Sequence, residues 1–159
     1  MSLQNYANKM QNHSHKMESK LAFLKTKKKR GSKGEQITRD FLKRYGLPFK
    51  EQVSFNNLYY KSKDFPLRFD FQVWVKDKWF LIEIQGSQHY KPSSFGGHLT
   101  EEQVMKNFEE GQERDRMKKD YCESHGIALE CVDWDGNKKK LVENLRSLFR
   151  NQLRDSTTS

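Results

Sequence analysis

The chain has 159 residues, the length of one domain, so a single fold with a single site is expected rather than two independent cores. Its formal charge is +9, but residues 1–30 carry eight basic side chains against one acid, Glu18, a net +7 that leaves only +2 for the other 129 residues. Apolar content of 34% and a mean hydropathy of −1.03 are low, yet 13% aromatics (eleven Phe, six Tyr, three Trp) supply bulk for a compact core, which excludes wholesale disorder of the body.

No run approaches the roughly 18 to 20 apolar residues of a membrane span, and the start lacks the apolar stretch of a secretion signal. A cytoplasmic protein with no membrane partner is expected. Cys122 and Cys131 are too few for a disulfide framework. Cys122-x-x-His125 with Cys131 lacks a fourth ligand at zinc-finger spacing, and two buried thiols is the simpler reading.

In chain order, residues 1–31 read as a flexible or weakly helical basic arm, with Lys25, Lys27, Lys28, Lys29 and Arg30 just ahead of Gly31 and Lys33 following. Ser32-x-x-Glu35 has the capping-box form, and Ile37, Phe41, Leu42 and Tyr45 continue at helical spacing until Gly46-Leu47-Pro48, which predicts a helix over 32–45. A strand is expected over 49–55, then a polar, aromatic loop through 61–66. From Leu67 to Val75 the apolar residues alternate strictly, placing Leu67, Phe69, Phe71, Val73 and Val75 on one face of a second strand. After a turn at Lys76-Asp77, residues 79–85 alternate again, with Phe80, Ile82 and Ile84 on one side and Leu81, Glu83 and Gln85 on the other; the two strands form a hairpin.

A loop containing Pro92 and Gly96-Gly97 leads to Thr100, which opens a second capping box with Gln103 and a helix to about residue 124. Gly126 ends it, 127–134 is a further strand, and a helix from about 138 to 152 carries Leu141, Val142, Leu145, Leu148 and Phe149 on one face. The order is arm, α, β, β, β, α, β, α. One domain is expected over 32–153, with a disordered tail at 154–159.

A two-residue turn at 76–77 opposes Val75 to Lys78, Val73 to Phe80 and Asp70 to Glu83. Two carboxylates would then be cross-strand neighbours about 4.5–5.5 Å apart at Cβ, which destabilises a sheet unless a cation lies between them. A divalent ion such as Mg2+ suits the pair; the alternative is a solvated outer face on which each acid meets a lysine. Just beyond, Glu83, Gln85 and His89 bring a carboxylate, an amide and an imidazole to a strand end, where sites gather. His89 is either a base for an attacking water or a structural hydrogen-bonder. On the helix 100–124, Val104, Phe108, Gly111, Asp115, Lys118 and Cys122 recur on one face, so two charges interrupt the stripe. Asp115 and Lys118 either pair with each other or join the site, Asp115 orienting His89 and Lys118 meeting a phosphate. Glu35 is explained by its cap.

Arg68-Phe69-Asp70-Phe71, Ile82-Glu83-Ile84-Gln85-Gly86-Ser87-Gln88-His89-Tyr90, Phe95-Gly96-Gly97, and Asp115-x-x-Lys118-x-x-Tyr121-Cys122 with Gly126-Ile127 together resemble a group of phage-encoded endonucleases. These belong to the EDxHD branch of the PD-(D/E)XK nuclease superfamily, which includes phage homing endonucleases and is similar to the very-short-patch repair endonuclease. The resemblance covers roughly residues 34–134. It implies an α/β fold of restriction-endonuclease type, a central mixed sheet flanked by helices in an α-β-β-β-α-β core, with the arm and a C-terminal helix added. It also implies Mg2+- or Mn2+-dependent hydrolysis of a DNA phosphodiester in the cytoplasm, of the host cell if phage-encoded, by a monomer or homodimer. By position, Glu35 matches the acid of the first helix, Asp70 the metal-binding aspartate, Glu83 the acid of the E-x-K element, and His89 and Asp115 the HD pair. Gln85 departs from the superfamily's lysine, an absence Lys118 could fill.

The resemblance implies that Asp70 and Glu83 hold the ion, Gln85 positions water and His89 acts as base or leaving-group acid, while the arm's lysines neutralise DNA phosphates. Two other readings stay open: a catalytically inactive DNA-binding protein on the same fold, and a structure-specific nuclease that cuts junctions.

Overall fold

The computed structural model describes residues 31–86, Pro92 and residues 98–155. Their order is α1 (Lys33–Arg44), β1 (Phe49–Tyr59), β2 (Pro66–Val75), β3 (Lys78–Gly86), α2 (Glu101–Ser124), β4 (Leu129–Trp134) and α3 (Lys138–Asp155). Both expected capping boxes form. Ser32 Oγ accepts the Glu35 N–H at 3.2 Å while Glu35 Oε1 accepts the Ser32 N–H at 3.0 Å, and Thr100 and Gln103 do the same for α2. Gly46 and Gly126, each at φ 62°, follow the last turns of α1 and α2 in the left-handed conformation that stops a helix. The C-terminal helix runs to Asp155, past the expected domain end at 153, so 154 and 155 continue the helix rather than begin a tail.

The four strands form one sheet in the order β1-β2-β3-β4. The first three are an antiparallel meander, and β4 lies parallel to β3, as the long crossover through α2 requires. The hairpin register is the expected one, Val75↔Lys78 through Phe71↔Ile82. Lys76 turns it at φ 55°, the positive value that matches a two-residue hairpin to strand twist. Strand β1 extends four residues beyond its expected end at Phe55, because the register slips between Ser54 and Tyr59 and accommodates the exposed Asn56 and Asn57 as an irregularity.

Two apolar clusters sandwich the sheet into three layers. On one face Ile37, Phe41 and Leu42 of α1 and Leu141, Leu145 and Phe149 of α3 meet Phe71, Val73, Val75, Phe80, Ile82, Ile84 and Val132. On the other, Cys122 of α2 packs with Leu58, Tyr60, Leu67, Phe69 and Leu81. The single apolar face expected for β2 is therefore divided: Leu67 and Phe69 lie on the α2 side, and Phe71, Val73 and Val75 on the α1/α3 side. The change of side falls at Asp70. Opposite it the β1 pairs Glu51↔Phe71 and Val53↔Phe69 keep one register, but Gln52 between them adopts φ 52°. A left-handed residue in a strand re-aims its neighbours, which breaks the two-residue alternation.

No helix among the described residues is long and apolar enough to cross a membrane. The expectation of two buried thiols holds for Cys122 alone. Cys131 is exposed, since it alternates with the buried Val132 on the edge strand β4.

Candidate active site

The site begins where the hairpin ladder ends. One step past Phe71↔Ile82, the Asp70 carboxylate accepts the Ile84 N–H through Oδ2 at 2.8 Å, so a side chain takes up a main-chain donor of β3. On β3, Glu83 shares the α2-facing side with Leu81, and only 7% of it is exposed. Helix α2 crosses that side and places Lys118 Nζ 2.7 Å from Glu83 Oε1. The same ammonium lies 5.3 Å from the centre of the Phe69 ring, an attraction to the ring face that helps hold it in a half-buried position. Lys118 thus forms an ion pair across the fold with Glu83, in the cleft that Asp115 also lines.

Burial pushes the Glu83 carboxyl up from 4.5 to about 7, and the nearby negative charges of Asp70 and Asp115 push the same way, more than Lys118 pulls it back. Three acids thus crowd one cation. That imbalance suits a divalent ion: Asp70 and Glu83 offer hard oxygen donors, and Mg2+ or Mn2+ takes one or two carboxylates with the rest from water and phosphate. Among the described residues no group of three or more His, Cys, Asp and Glu side chains is arranged to hold a metal ion.

Helix α1 reaches the same place through a close approach. A Cβ on Gly34 would stand 2.7 Å from Ile84 Cγ2 and 2.9 Å from Trp134 Cγ, so only glycine lets the first turn of α1 sit against the ends of β3 and β4. Glu35 follows it. Its Oε2 accepts from Gln52 Nε2 at 3.4 Å, which joins the helix cap to the left-handed residue opposite Asp70. Arg39 donates to Glu51 Oε1 through Nε at 2.7 Å and ties the second turn of α1 to β1.

These elements border an open cleft of about 850 Å³ at the carboxyl ends of the parallel pair β3 and β4. Glu35, Asp70, Glu83, Asp115 and Lys118 all line it, as do Val104, Phe108 and Gly111 from the α2 face that the spacing singled out. Gln85 is buried, on the same side of β3 as Glu83 by alternation, but is not among the lining residues. His89 lies outside the described residues, as do Lys25, Lys27, Lys28, Lys29 and Arg30; Lys33 is the exposed first residue of α1. Sequence reasoning missed Gln52, Arg68 and Arg114 at or beside the cleft. Arg68 carried a signal, two residues before Asp70 on an alternating strand, whereas nothing in the local sequence marks Gln52 as left-handed.

Comparison with protein-family models, curated proteins and solved structures gave no match.

Proposed function

We propose that this chain is a divalent-metal-dependent DNA endonuclease of restriction-endonuclease-like fold that hydrolyses phosphodiester bonds in the cleft between α2 and the ends of β2 and β3. The observation that carries the reading is the convergence of Asp70, Glu83, Asp115 and Lys118, from three separate elements, on one open cleft. A pure binder of nucleic acid gains nothing from three carboxylates turned toward phosphates. The mixed four-stranded sheet with helices on both faces agrees with the α-β-β-β-α-β core that the resemblance implies.

A divalent ion held by Asp70 and Glu83 would polarise the scissile phosphate and lower the pKa of a bound water. Asp70, anchored on the Ile84 N–H, keeps its carboxylate at a fixed position and so needs little reorganisation. Lys118 supplies the positive charge absent at Gln85; with its ammonium beside Glu83 it can contact a non-bridging phosphate oxygen entering the cleft. The resemblance assigns the proton transfer to His89, and Gln85, buried on the Glu83 side of β3 but off the cleft lining, takes no direct step. The arm's lysines hold DNA phosphates without reading sequence.

One observation favours the inactive binder as a second reading: the 2.7 Å pair already neutralises Glu83 without a metal. Supercoiled plasmid separates the two. Incubation with Mg2+ is expected to give nicked or linear DNA, with Asp70→Ala inactive. Absence of any Mg2+-dependent cut on duplex, single-stranded or four-way-junction DNA would eliminate the nuclease, and preference for the junction would favour a structure-specific enzyme.

A further inference from the structure

Two glycines of this chain lie beside the same cleft for opposite reasons. Gly34 has no room for a Cβ, so packing demands it. Gly111 is different. It sits in the middle of the 24-residue helix α2, where glycine weakens a helix relative to alanine, and among the described residues the neighbour within 4 Å of an added Cβ is the terminal nitrogen of the flexible Arg114, at 3.8 Å. Packing among the described residues gives no reason for it. The position lies on the cleft-lining face of α2, one turn before Asp115 and two before Lys118, so any side chain there would project into the approach to the acidic cluster.

The cleft walls beside Gly111 carry two arginines. Arg114 lines the cleft from α2, its guanidinium carbon 5.2 Å from the centre of the Tyr60 ring and its Nη1 4.0 Å from Glu110. Stacking on a ring holds a guanidinium plane in place while leaving N–H groups to donate. Arg68 lines it from β2, exposed, and forms no ion pair among the described residues. It shares a strand with Asp70, two residues away, so the acidic cluster lies beside one arginine on β2 and the other on α2.

The geometry points to the α2 face at Gly111 as the track on which one sugar–phosphate strand lies, passing close over the bare helix backbone, with Arg68 and Arg114 contacting its phosphates. This rests on the nuclease reading and names the surface that presents the strand to the acidic cluster. Gly111 and the two arginines are positioning residues.

The test uses full-length protein with a fluorescent DNA duplex in Ca2+, read by anisotropy across a salt series, with thermal unfolding of each variant alongside. Gly111→Ala is expected to unfold at a higher temperature than wild type, because it relieves a helix penalty, and Gly111→Leu to bind DNA at least about tenfold more weakly while remaining folded. Arg68→Ala and Arg114→Ala should each lower the salt slope by about one and weaken binding across sequences, whereas Arg116→Ala, on α2 but outside the cleft lining, should do neither. A Gly111→Leu protein that is folded and binds as wild type overturns the track, as does a Gly111→Ala protein less stable than wild type, since packing would then explain the glycine. Wild type that binds no DNA and cuts none overturns the nuclease reading itself, and the track with it; wild type that still cuts while the variants are silent in binding overturns the track alone.

Discussion

Lys118 and Glu83, 35 residues apart in the chain, meet at 2.7 Å with side chains only 14% and 10% exposed. Removing one partner of such a pair is more damaging than exposed ion pairs would suggest, because the other charge is left buried. Lys118→Met would strand Glu83 beside Asp70 and Asp115. Urea unfolding should show a loss of about 3 kcal/mol above neutral pH. The loss should shrink in acid, where Glu83 can take a proton instead; an equal loss at all pH values would mean that it does not come from a stranded Glu83 charge.

Glu83 itself sets a pH dependence in metal-free protein. Its folded-state pKa, about 7, is raised above the ordinary 4.5, so between those values the folded chain binds a proton that the unfolded chain has released. Stability attributable to Glu83 is therefore highest below pH 4.5, falls as the pH rises, and is fully lost above about 7. The loss amounts to about 3 kcal/mol. Glu83→Gln should remove that slope, and Mg2+ should restore stability to wild type in mild alkali while leaving the variant unmoved. Parallel pH–stability curves for the two proteins would contradict the raised pKa.

Asp70 combines a structural bond with the proposed chemistry, and two substitutions separate them. Asp70→Asn keeps an oxygen for the Ile84 N–H and should change stability by less than about 1 kcal/mol. Asp70→Ala leaves that donor without its acceptor, at about 1 to 3 kcal/mol. Both should lose at least about a thousandfold in plasmid cleavage, as for loss of a group stabilising transition-state charge. Thermal unfolding beside a nicking assay checks the pair, and an active Asp70→Asn protein would remove Asp70 from the chemistry.

Much of this arrangement was legible in the sequence, and the rest was hidden for definable reasons. The hairpin register followed from a two-residue turn between alternating strands, and the cleft-lining face of α2 followed from the spacing of Val104, Phe108, Gly111, Asp115 and Lys118. Both depend on local periodicity alone. The division of β2 between two cores did not follow, because it turns on a left-handed Gln52 in another strand. That Lys118 pairs with Glu83 depends on where α2 crosses the sheet, which no spacing within the helix encodes.

Gly34 tests how α1 is seated. Gly34→Ala would drive a methyl to 2.7 Å from Ile84 and 2.9 Å from Trp134, both at strand ends that cannot retreat far. A loss of about 1 to 3 kcal/mol is expected, with Glu35 displaced from the cleft. Wild-type stability in the variant would show that the helix shifts freely.

Diffraction from crystals of the protein soaked in Mn2+ tests most directly whether Asp70 and Glu83 share an ion. The expected result is one anomalous peak within about 2.0 to 2.3 Å of a carboxylate oxygen from each, absent from Asp70→Ala crystals. A peak elsewhere in the cleft, or none with the Lys118–Glu83 pair unbroken in protein that still nicks DNA, would contradict it.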